Sequence, residues 1–133
     1  MNTNNNPWIE EILKENNIKE EDIQYWKLKL ESSSSEEKLQ DLIKKTETTR
    51  AQYYDMITNL NAAYGYVSPE LFVNGANGFL WTLDQMINAA KEKDFDKMAA
   101  SYIMIPLVMT KFLQMYEQEC IRLSQQDQDD YDL

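Results

Sequence analysis

From Leu39 onward, apolar and neutral residues recur three and four apart for almost four heptads: Leu39, Leu42, Thr46, Thr49, Tyr53, Met56, Leu60 and Ala63. That spacing follows one face of a helix, whereas a half-buried strand would alternate every second residue. The run predicts a long helix over roughly residues 35–64, with Gly65 supplying the left-handed stop. Ser32 to Ser35, a low-complexity linker, leads into it, and Ser34 with Glu37 reads as a capping box. Three glycines and three prolines in 133 residues leave few other places for tight turns, so the rest of the chain must also be helical.

Asn6 before Pro7 has the form of a helix cap and first position, with Trp8, Ile9, Ile12 and Leu13 on one face up to Asn16-Asn17. A second helix is expected from Ile18 to Leu30, with Glu20, Glu21 and Asp22 in its first turn and Ile23, Tyr25, Trp26 and Leu30 available to pack. Lys27 to Leu30 alternates as a strand would, but no second strand exists to pair with it. Ser68-Pro69 opens a fourth segment that Gly75 and Gly78 interrupt, which predicts either a break or the close approach of another backbone. Asp94 caps a last helix to about Ser124, with a kink or break expected near Tyr102 to Ile105 because Pro106 removes a backbone donor.

These elements predict an all-α bundle of four to six helices with a long central helix, a Pro-kinked C-terminal helix and an N-terminal helical hairpin. The expected organisation is the hairpin over 1–31, in the same domain or as an appended arm, the bundle over 32–124, and a disordered acidic tail over 125–133. The run Leu83, Ile87, Ala90, Lys93-Asp94-Phe95, Met98-Ala99 and Ile105-Pro106-Leu107 resembles a helical-hairpin segment of uncharacterised proteins from low-GC Gram-positive bacteria, with the proline displaced by two residues. It covers under a third of the chain and implies no function.

Chemistry is narrowed by what is missing. Histidine is absent and Cys120 is the single cysteine, which removes Cys/His zinc sites, Ser-His and Cys-His nucleophile pairs and an internal disulfide. No glycine-rich elbow or phosphate-binding loop surrounds any serine or lysine, and the acids beside Cys120 disfavour its thiolate. The expectation is no enzyme and no cofactor. A net charge of −10 disfavours direct contact with nucleic acid or anionic lipid. The longest apolar stretch, Tyr102 to Met109, is shorter than a membrane span of about 20 residues, and Met1 to Asn6 carries no basic residue of a leader. A cytoplasmic setting is expected, and the Asn, Lys, Ile and Glu bias hints at a low-GC bacterium or its mobile elements.

Charge is unevenly placed. Residues 1–50 hold eleven acids and eight bases and residues 91–133 nine and five, whereas residues 51–90 hold only Asp55, Glu70 and Asp84 with no base. Burial or contact should therefore concentrate in the middle. Tyr53, Tyr54, Tyr64, Tyr66, Phe72, Phe79 and Trp81 crowd that region, and aromatic side chains on a charge-poor face mark interface centres as well as cores. Tyr53 and Tyr54 point about 100° apart on a helix, so both cannot serve one seam. Met98, Met104, Met109 and Met115 could fill core gaps or line an adaptable groove.

The reading these residues favour is a small adaptor, chaperone or inhibitor that binds another protein through the aromatic surface and forms a homo-oligomer. An alternative is an acidic nucleic-acid mimic, phage or mobile-element encoded, that blocks a defence or transcription protein through Glu10, Glu11, Glu20, Glu21 and Asp22. A second is a carboxylate-dependent metal hydrolase, using Glu36-Glu37 with Asp41 or Glu10-Glu11 with Glu15, for which solvated helix faces are the plainer account. Asp127, Asp129, Asp130 and Asp132 lack the turn glycine and terminal glutamate of a calcium loop.

Overall fold

The computed structural model describes residues 6–131, with side chains from Asn6 to Gln126, and every regular element among them is helical. α1 spans Pro7–Glu15, α2 Glu20–Ser33, α3 Glu36–Tyr64, α4 Pro69–Asn74, α5 Trp81–Glu92 and α6 Phe95–Tyr131. A π-helical stretch, Gly75–Leu80, joins α4 to α5 without a break. The result is the expected helical bundle.

Local signals set most boundaries. The Asn6 side chain accepts a hydrogen bond from Trp8 N at 2.9 Å, and Pro7 follows at the first helical position. Asp22 accepts from the Lys19 backbone at 3.0 Å at the start of α2. Gly65 ends α3 at φ 75°, and Asp94 caps α6 by accepting from Lys97 N at 3.2 Å. Ser35, not Ser34, caps α3, accepting from Lys38 N at 3.2 Å. Four serines in succession offer equivalent hydroxyls, and which one caps depends on where the preceding helix lets go.

Two corrections concern the middle of the chain. On α3 the buried row is Leu39, Ile43, Thr46, Ile57 and Leu60, so the covered face keeps Leu39, Thr46 and Leu60 of the predicted stripe but takes Ile43 and Ile57 in place of Leu42 and Met56. Leu42, Thr49 and Met56 flank it half-buried, and Ala63 is exposed. At Gly75 and Gly78 the helix neither breaks nor meets another backbone. It widens, and side chains fill the space: a Cβ on Gly75 would sit 2.7 Å from Ile57 Cδ1, and one on Gly78 2.8 Å from Trp8 Cζ3. Thr82, fully buried within the turn that follows, donates its hydroxyl to Gly78 O at 2.7 Å.

α5 is the centre of the arrangement, packed against α3 on one side and α6 on the other, and α2 lies along α6. α1 also rests on α6, so the N-terminal pair finds its main contacts there. Half of the buried apolar side chains among the described residues come from residues 51–90. One core gathers Phe79, Phe112, Leu71, Leu83, Val108 and Leu123, and a second gathers Leu39, Ile43, Met86, Ile87, Ala90 and Met98; Ile105 packs against both. Burying each of these side chains other than Ala90 contributes about 1.5–3 kcal/mol.

α6 passes through Pro106 unbroken and continues to Tyr131, beyond the expected end at Ser124. Asp132 and Leu133 of the expected tail lie outside the described residues. By length and composition α6 is also apolar enough to cross a membrane, a property shared with core helices of soluble proteins; a third of its apolar window is buried here. The shorter stretch Tyr102 to Met109 understated this, because Ser101, Thr110 and Lys111 interrupt the run without making the helix polar.

Candidate functional site

The seven aromatic residues of the middle region do not form one surface. Phe79 is fully enclosed, and Tyr53 stacks on it at 4.6 Å and on Phe112 at 6.0 Å, so both belong to the core. Tyr54, one residue on, is half exposed on the other side of α3, as the 100° turn requires. Tyr64 and Tyr66 pair edge to face at 6.3 Å near the loop after α3, where Tyr66 O accepts a hydrogen bond from Arg122 at 3.2 Å. Phe72 packs half-buried on the first core, and Trp81 lines a cleft between α2, α5 and α6.

What the fold does bring together is a groove of about 410 Å3 where the two cores meet. α3 forms one wall with Leu42, Lys45, Thr46 and Thr49, and α6 forms the other with Tyr102, Ile105, Pro106 and Met109. Each set has the spacing i, i+3, i+4, i+7 of a single helix face. Leu83 and Met86 of α5 make the floor. Thr46 turns its hydroxyl back to Leu42 O at 2.7 Å, so this wall presents methyl groups rather than a free donor. Pro106, without an N–H, leaves α6 one backbone donor short beside the groove.

Lys45 is the one charged residue lining the groove, and its ammonium is 2.9 Å from Asp41 on the outer side of α3. At the α2 end, Tyr102 carries the apolar surface onward by stacking on Trp26 at 4.8 Å, with Tyr25 edge-on to Trp26 at 5.3 Å. Lys29 sits over both α2 rings, 5.2 and 5.3 Å from their centroids. Tyr25 is 55% exposed and Leu28 64%, so this extension faces solvent.

Of the four methionines of the last helix, Met98 and Met104 are buried as gap-fillers, Met109 lines the groove, and Met115 packs half-buried on the first core. The other wall and floor residues were not legible as a site. One signal pointed there: between Lys97 and Glu117, α6 carries only Lys111, and that ammonium pairs with Glu15 at 3.3 Å on α1, away from the groove.

The acidic residues are arranged differently. Glu10, Glu11, Glu20, Glu21 and Asp22 are all exposed. Glu36 pairs with Lys93 at 2.9 Å, and Asp84 receives the Arg50 guanidinium at 2.6 Å. Among the described residues no three acidic or thiol side chains come together to hold a metal. Asp132 and the side chains of Asp127, Asp129 and Asp130 lie outside them. Buried Glu119 is held by Arg122, and Cys120 beside it is a half-buried free thiol. The Tyr116 hydroxyl is held above its ordinary range, first by burial and then by the neighbouring Cys120. No family model, curated protein or solved structure matches this chain.

Proposed function

We propose that the protein works without catalysis, as a small adaptor, chaperone or inhibitor whose groove between α3 and α6 takes one amphipathic helix of a partner protein. The observation that carries this reading is the groove's composition: ten lining residues, apolar or threonine apart from Lys45, in a chain of net charge −10. A helix entering such a groove is recognised by apolar residues at i, i+3, i+4 and i+7. Lys29 at the Tyr102 end, and Lys45 on one wall where Asp41 shares it, place positive charge beside the groove, so the entering helix turns an acidic flank to the Tyr102 end. Met86 in the floor and Met109 in the wall adapt the groove to different side chains.

The test is site-specific photocrosslinking in the host, with the reactive group at Met109 and a control at Lys14. The expected adduct forms only from Met109 and maps to an acidic-flanked amphipathic helix of another protein. Met109→Glu should weaken the same complex by about tenfold or more, with little dependence on salt, while leaving the fold intact. An adduct on a second copy of this chain, a basic or extended segment in the adduct, or equal crosslinking from Lys14 would each sink the proposal.

The acidic-mimic reading retains one supporting observation, the exposure of all five of its carboxylates. It requires binding that weakens steeply with salt and disappears when Glu10, Glu11, Glu20, Glu21 and Asp22 are neutralised.

A further inference from the structure

A second cleft of about 410 Å3 opens where the first turns of α2 and α6 meet the start of α5, away from the groove. That size falls within the roughly 300–1,000 Å3 of small-molecule pockets. Its base is apolar, formed by buried Ile23 and Met104 with Ala100.

The polar groups around it divide by charge. Exposed Glu20 and Asp96 supply carboxylates, whose present partners are Gln24 at 3.3 Å and the half-buried Lys27 at 3.4 Å. Lys97, Trp81 and Gln85 supply an ammonium, an indole N–H and an amide, and among the described residues none of these three side chains has a hydrogen bond or ion pair. Lys97 is exposed and Trp81 half-buried, and an ammonium and an indole N–H can only donate, so a ligand on this side supplies the acceptor. A simple anion here would lie beside Glu20 and Asp96, and a simple cation beside Lys97. A molecule carrying both charges close together, with an apolar tail, meets both sets and the base at once.

We propose that this cleft binds a free α-amino acid with an apolar side chain. Its carboxylate takes the Lys97 ammonium and the Trp81 N–H, its ammonium lies between Glu20 and Asp96, and its side chain rests on Ile23, Ala100 and Met104.

Calorimetric titration of the whole chain with L-leucine and L-phenylalanine tests this, alongside L-leucinamide, which lacks the carboxylate, and N-acetyl-L-leucine, which lacks the ammonium. Saturable binding of at least one amino acid is expected, with the corresponding one-charge compounds about tenfold weaker or worse, since each leaves one set of charges unmet. Lys97→Met and Trp81→Phe should each weaken it about tenfold without changing the melting temperature appreciably, and the leucine-induced change in indole fluorescence should vanish in Trp81→Phe. Met109→Glu, in the separate groove, should leave it unchanged, so this proposal and the helix-binding one fail independently. No saturable binding at millimolar amino acid, leucinamide or acetyl-leucine as tight as leucine, or undiminished affinity in both cleft variants overturns it.

Discussion

The ring of Trp8 lies so close over Gly78 that a Cβ on the glycine would sit 2.8 Å from Cζ3 and 2.9 Å from Cε3. Through this contact α1 is seated on the π-helical stretch, with Asn6 adding a hydrogen bond from its amide to Asn77 O at 3.3 Å. Gly78→Ala should push the half-buried ring outward. Overpacking costs about 1–3 kcal/mol and the alanine returns up to about 1 kcal/mol in helix propensity. A net loss of up to about 2 kcal/mol in chemical denaturation, with a red-shifted indole emission, is the expected outcome. Gly75→Ala should cost more, because it meets Ile57 and Phe112 in the enclosed core and neither can swing to solvent. A raised melting temperature in Gly75→Ala would show that the close packing there is not tight.

Pro106 should prove a concession of stability. Replacing it with alanine restores a backbone donor within α6 and relieves the clash with the preceding turn, a change worth about 1–3 kcal/mol in an exposed helix position. Pro106→Ala is expected to melt higher and, by removing the ring from the wall beside Ile105, to crosslink less to the partner helix from Met109. Lower stability in this variant would mean that packing around Ile105 requires the proline ring.

The acid limb of the stability profile should depend on Lys93. Its ammonium hydrogen-bonds the Glu36 carboxylate and, with a smaller contribution from Gln40, holds that carboxyl below its ordinary 4.5. A lowered folded-state value adds stability above the unfolded value, and that stability is lost as pH falls from there through the folded value. Denaturation from pH 6 to 3 should therefore show a shallower fall for Lys93→Met than for the parent chain, with a small deficit at neutrality. Parallel curves would remove this pair from the acid response.

At high pH the sign is reversed. Burial and Cys120 raise the Tyr116 hydroxyl above 10.0, so the unfolded chain releases that proton first and stability declines as pH climbs past the unfolded value. Tyr116→Phe should be less sensitive than the parent between about pH 9 and 11 in thermal melts. Equal alkaline sensitivity would place the effect on other tyrosines.

Most of the helices were legible because their signals are local. Asn6-Pro7, Gly65 and Asp94 act through their own backbone and that of the next few residues, and α3 shows its period along its own length. The face of α3 that turns inward was legible only in part, at Leu39, Thr46 and Leu60, because two adjacent apolar rows compete beside them: one through Ile43 and Ile57, the other through Leu42, Thr49 and Met56. Only the position of α5 chooses between them. Phe79 looked like a candidate contact on composition, yet the π-helical turn carries it into the core. The groove escaped for a related reason. Leu42 and Met109 are sixty-seven positions apart in the sequence, and nothing in either neighbourhood says that α5 will floor the space between them.

The stretch from Gly75 to Leu80 also sets a phase. A π turn accommodates an additional residue, which offsets the helix before it by about 100° from the helix after it. Leu71 and Leu83 both reach the same core across that offset. Excising the outward-facing Ala76 would let the segment tighten into regular helix, yet would roll Leu71 toward water while Leu83 stayed in place. Residue count at this point therefore constrains the fold alongside the identities of Gly75 and Gly78.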